Sequence, residues 1–115
     1  MNRPLKVIVQ RSKWFRGKDD SALLRKADGL MCCLGFACLG AKYTKKEIKD
    51  HASPCELEMP IKPPLKALIS LAGFNSRKCR KLMDCNDSAI MTDKIREKCL
   101  RQLGKRANLA FTFVD

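Results

Sequence analysis

Apolar and polar residues alternate most clearly at the two ends of the chain. In Leu5 to Gln10, Leu5, Val7 and Val9 share one face of a segment rich in β-branched residues, which predicts a strand. Leu109, Phe111 and Phe113 alternate in the same way across Leu109 to Val114, as in a half-buried strand. Between these ends the period changes to that of a helix. Met31 to Ala41 is a compact apolar run with Leu34, Ala37 and Cys38 at i, i+3 and i+4, and Gly35 marks close packing against the sheet. Thr44 and Glu47 have capping-box spacing and open a short helix ending near Asp50. Pro64 suits the first turn of another helix, closed by Gly73, with Leu65, Leu68, Ile69 and Leu71 in the core. Thr92 or Asp93 caps a helix over Lys94 to Leu103, with Gly104 as its stop and Ile95, Cys99, Leu100 and Leu103 as its buried stripe.

The remaining segments have weaker patterns. Arg11 to Asp20 is polar and basic and reads as a loop, Ser21 to Lys26 as a short second strand, and Asp28-Gly29 as a turn. Ser53-Pro54 begins an irregular connection, and Pro60, Pro63 and Pro64 keep the middle of the chain extended. Ser76 to Met83 reads either as a short helix or as a basic loop, punctuated by Asn86-Asp87-Ser88. Strands at both ends with helices between them predict an α+β fold. The expected architecture is one domain over 1–115, a small sheet containing both terminal strands, and three to four helices on one face. Repeats, linkers and low-complexity tracts are absent from the sequence.

Composition narrows the function classes. The longest apolar run is interrupted by Gly35 and Gly40 and ends at Lys42, well short of the roughly 20 residues needed to cross a bilayer. The first residues carry no long apolar leader, so the expectation is a cytoplasmic protein with no membrane partner. Seven cysteines without a leader, and odd in number, are expected to be reduced thiols. The net charge of +12 is large for 115 residues and favours polyanions or acidic surfaces as partners.

A family resemblance rests on three runs: Arg11-Ser12-Lys13-Trp14-Phe15-Arg16-Gly17, Leu23-Leu24-Arg25, and Asp28-Gly29-Leu30-Met31-Cys32-Cys33-Leu34-Gly35-Phe36. Ser53-Pro54, Asn86-Asp87 and the closing Phe113-Val114-Asp115 extend it along the chain. Together they resemble a family of small bacteriophage-encoded accessory proteins with a Trp-Leu-Arg-Gly-like start and a Met-Cys-Cys-Leu-Gly-Phe core. Leu30 departs from the pattern, where lysine is common, and the second half of this chain is more basic. The resemblance implies a context, inside an infected bacterium, and partners among host enzymes, nucleic acid or defence complexes.

Three constellations carry candidate chemistry. Lys94, Lys98, Arg101 and Lys105 are spaced i, i+4, i+7, i+11 and so line one helical face, while Arg77, Lys78, Arg80 and Lys81 form a second dense cluster. Such rows can track a phosphate backbone, although a solvated helix face has the same pattern. In the loop, Trp14 stands among Arg11, Lys13 and Arg16, a mixture that suits base stacking beside phosphate contact, a protein hot spot, or a Trp closing the core. Cys32 or Cys33 at a helix start, His51, and Asn86 or Asp87 make a cysteine-hydrolase set on paper, and buried structural thiols explain these cysteines more simply. His51, Cys55, Cys79 and Cys85 lack the usual zinc spacings, and the glycines are too scattered for a phosphate loop. The expectation is therefore a binding module without cofactor, metal or catalytic residue. Its partner is nucleic acid or an acidic, nucleic-acid-binding host protein. The alternative is an inhibitor of a host enzyme or of a defence protein, as anti-CRISPR proteins are.

Overall fold

The computed structural model describes residues 3–115; Met1 and Asn2, the first two positions of the expected domain, lie outside them. The fold is α+β, and the terminal strands do meet. Strand β1 (Leu5–Gln10) pairs in parallel with β2 (Leu109–Val114), with Leu5 opposite Leu109 and Gln10 opposite Val114. Val7, Val9, Leu109, Phe111 and Phe113 are buried on one face, while Lys6, Ile8, Thr112 and Val114 are exposed on the other. Helix α1 (Cys33–Gly40) packs on β1, and α4 (Asp93–Arg106) packs on β2. Helix α3 (Arg77–Asp87) sits against α4 and α1, and the one-turn α2 (Lys45–Ile48) lies beside α1. The capping box on α2 forms, with Thr44 and Glu47 bonding each other's backbone N–H groups.

Several expectations are corrected. Ser21 to Lys26 is not a strand: only Leu24 makes a bridge, to Lys49, because the segment runs over the end of α2 rather than along the sheet. The helix expected from Pro64 to Gly73 is a 3-10 turn over Pro63–Leu68. Ile69 then becomes extended and pairs with Asn75, and Gly73, at φ +85°, turns the chain between them. Leu71, expected in the core, is thereby fully exposed at the tip. Ser76 to Met83 resolves as the longer α3, capped by the Ser76 hydroxyl, and Asn86 lies buried within it instead of ending it.

Helix α4 differs most from its apolar pattern. Gly104 does not stop it; the helix continues to Arg106, and Asn108 (φ +59°) supplies the left-handed residue beyond the end. The same Asn108 accepts a bond from Leu5 N–H, so the helix terminus also starts the strand pairing. Gly104 instead lets Phe111 close in, since a Cβ there would lie 2.6 Å from the ring. Ile95 is exposed, and its expected place is taken by Arg96 and Glu97, both buried.

Gly35 explains the densest part of the apolar motif. It packs not on the sheet but on the chain crossing α1: a Cβ would fall 1.9 Å from the Leu23 carbonyl oxygen and 3.0 Å from Met31 Cβ. Gly35→Ala should therefore destabilise the protein by about 3 kcal/mol or more. Thermal unfolding followed by circular dichroism will measure it; an unchanged midpoint would mean that the crossing segment is not held there.

Candidate functional site

Two buried polar side chains organise the region around Trp14. The Asn86 side chain, fully buried, accepts from Trp14 Nε1 at 2.7 Å and from Cys33 N–H at 3.0 Å. Its amide nitrogen donates to the Phe15 carbonyl and to Asp87. One side chain thus ties the loop, the start of α1 and the end of α3 together. The guanidinium of Arg96, 3% exposed, donates to the carbonyls of Cys85, Asn86, Ser88 and Met91 at 2.7 to 3.1 Å. It satisfies carbonyls that the last turn of α3 leaves unpaired and places a cation at the negative end of that helix. Gly17 closes over it with φ +74°, and its N–H donates to the Asn86 carbonyl.

The expected loop residues therefore have structural partners. Trp14 is 3% exposed, with Phe113 at 5.0 Å and the Arg16 guanidinium at 4.4 Å from its ring. Neither indole face is open to a base, so the stacking role considered for Trp14 does not fit this arrangement. Arg16 also pairs with Asp93 at 2.9 Å. Arg11 makes two bonds of 2.8 Å to the carboxylate of Glu97 and a third to Asp115. This fork is the geometry in which a guanidinium holds a carboxylate best. Lys13, on the same turn, is exposed and has no such partner.

The ion pairs divide by residue type. Among the described residues, every pair within 4.0 Å uses Arg or His and none uses Lys. Lys94, Lys98 and Lys105 stand exposed along α4 with their charge uncompensated. Arg101, in the same row, lies 4.0 Å from Glu97 and 5.7 Å from the Phe113 ring. Arg77, Lys78, Arg80 and Lys81 are exposed on α3. On α4, Ile95, Cys99 and Gln102 lie to one side of the basic row, Cys99 being about 100° around the helix from Lys98.

The cysteines do not form a reactive set. Burial pushes the Cys32 thiol up to about 11 and the Cys79 and Cys85 thiols to about 12, and it raises Cys33 and Cys38 well above the ordinary value. The expected activation at the start of α1 is outweighed by desolvation. His51 faces Glu56 at 3.6 Å, and the polar atoms of Asn86 are taken up by the partners above. All seven cysteines are free. Among the described residues no group of three or more His, Cys, Asp or Glu is placed to hold a metal ion. No helix among them is long and apolar enough to cross a membrane.

Two outcomes follow for the native protein. With a thiol-reactive disulfide at pH 8, the half-buried Cys55 and Cys99 should react first, and the five buried cysteines only on unfolding. Rapid modification of Cys32 or Cys33 would contradict their burial. The second outcome concerns acid. Arg11 holds Glu97 below its ordinary 4.5, and Arg16 holds Asp93 below its ordinary 3.8. Their stabilisation is therefore present above those values and lost as pH falls through the lowered ones. Glu97→Gln should be less stable than the parent at pH 7, with the gap narrowing below pH 4.5 in denaturant titrations. A gap independent of pH would show that the negative charge of Glu97 contributes nothing to stability.

No protein-family model matches this chain, and comparison with curated proteins and with solved structures gives no match, so the site is understood from its own geometry.

Proposed function

We propose that this protein is a small basic binding module for nucleic acid or a nucleic-acid-associated complex, an accessory protein of a bacteriophage acting in the cytoplasm of its infected host. The phage context comes from the motif resemblance at residues 11–36. The binding role is supported by one observation above all: the lysines are left without carboxylate partners while Arg11, Arg16 and Arg96 hold the fold. A net charge of +12 is thus carried largely by groups free to meet phosphate. The contact surface is the α4 row Lys94, Lys98, Arg101 and Lys105, with Lys13 and the α3 residues Arg77, Lys78, Arg80 and Lys81 as further contacts. Arg11 and Arg16 act by holding the loop against α4, and Trp14 by holding it against α3 and β2. With Trp14 buried, the mode is backbone tracking rather than base stacking, and it carries little sequence information.

Salt dependence tests this reading. Replacing Lys94, Lys98 and Lys105 by Gln should weaken binding to a labelled oligonucleotide and reduce the log-log salt slope by about three. Unchanged affinity and slope would sink it. A second reading, an inhibitor that docks on a host enzyme or defence protein, is favoured by Leu71 and Phe74, 111% and 70% exposed on the turn between Ile69 and Asn75. A partner retained from host lysate after nuclease treatment, and lost on Leu71→Ser with Phe74→Ser, would select that reading.

A further inference from the structure

A second cationic surface lies where α2 meets the 24–29 turn. Leu24, Arg25, Lys26, Gly29, Lys45, Lys46 and Lys49 line a cup of about 430 Å³. The backbone builds it. Leu24 bridges Lys49, Asp50 N–H donates to the Leu24 carbonyl at 2.9 Å, and Ile48, fully buried, anchors α2 so that its lysines face outward. Three carboxylates flank it, held by neighbouring groups. Asp28 pairs with Arg25 and accepts from Leu30 N–H, Glu47 accepts from Thr44 N–H, and Asp50 accepts from Lys26 N–H. Arg25 is further occupied by the Phe15 ring, 4.0 Å from its guanidinium. Lys26, Lys45, Lys46 and Lys49 line this concavity, and among the described residues none of the four forms an ion pair within 4.0 Å. Gly29, at φ +72° with nothing within 4 Å of a built Cβ, leaves the rim open.

We propose that this cup binds a compact polyphosphate, a ligand with two or more linked phosphoryl groups. Four lysines lining one concavity can match several negative charges held close together, and Lys serves phosphate as a point charge without demanding planar geometry. The volume is at the lower end for a small-molecule site and admits a short anion rather than a duplex. Leu24 offers an apolar wall, so the polyphosphate can be free or part of a nucleotide. The site is independent of the α4 stripe, from which it is separated by α1 and the sheet.

Isothermal titration with sodium tripolyphosphate in 150 mM NaCl, without divalent cations, tests the proposal, with adenosine triphosphate in a parallel arm. The expected result is saturable 1:1 binding, with amide shifts confined to residues 24–29 and 45–49. Lys26, Lys45 and Lys49 all to Gln should weaken it at least tenfold. An equal-charge control, Lys6, Lys66 and Arg106 to Gln, should change it less than about twofold. Equal affinity in the two arms means that phosphate alone is read, and tighter nucleotide binding means that Leu24 holds the base; both support the site. No saturation with either probe, or equal losses in variant and control, would overturn it. Matching unfolding midpoints of the two variants keep a folding defect from imitating the result.

Discussion

A buried guanidinium is the constraint on which the rest of this structure depends. Arg96 lies on α4 with almost no exposure and no carboxylate in hydrogen-bonding contact; Asp93 approaches its Nε only to 3.6 Å. Its charge is carried instead by four backbone carbonyls at and beyond the end of α3. That arrangement holds only if α3, the 88–92 connection and α4 keep their relative positions. Those positions also set Asn86, which fixes Trp14 and the start of α1. The loop, both long helices and, through Phe113 against Trp14, strand β2 meet around these two side chains.

The charges of the protein therefore fall into two populations. At Arg11, Arg16 and Arg96 a planar fork that can satisfy several acceptors at once is buried or holds a carboxylate in fixed geometry, while Arg77 and Arg80 stay exposed and, among the described residues, unpaired. Lysine, strongly hydrated on a flexible stem, stays in water except at Lys62, which bonds the Lys42 carbonyl over the Tyr43 ring. The consequence for binding is that mobile lysines can settle on an anion without dismantling the core. Counting basic residues in the chain conceals this division, which only the partner of each charge reveals.

The sheet was legible because alternation over six residues leaves few alternatives, and the inward faces at Val7, Val9, Leu109, Phe111 and Phe113 agree with it. The direction of pairing was not, since parallel and antiparallel strands alternate alike. Helix α4 was found, but its inner face was misassigned: Arg96 and Glu97 look like surface residues until their partners are known. Leu71 failed in the opposite sense, because its apolar character suggested burial while Gly73 and the Ile69–Asn75 pairing put it at a turn tip. Of the candidate site, the α4 row was readable from spacing, whereas Trp14, Arg11 and Arg16 were placed as contacts when their partners lie within the fold. The cup at Lys26, Lys45, Lys46 and Lys49 was missed because a bridge between Leu24 and Lys49 leaves no periodic signal.

The parallel pairing of β1 with β2 has a consequence in time. Leu5 is opposite Leu109, so the first strand has to wait for about a hundred residues of chain before its partner exists. At translation rates of roughly 5–20 residues per second, that is on the order of 5–20 s with Val7 and Val9 unsheltered on the ribosome. The helices between can form earlier from local contacts, yet the layer that α1 and α4 both pack on closes only at the end. The sheet face that both helices pack on is therefore assembled only once β2 has been made.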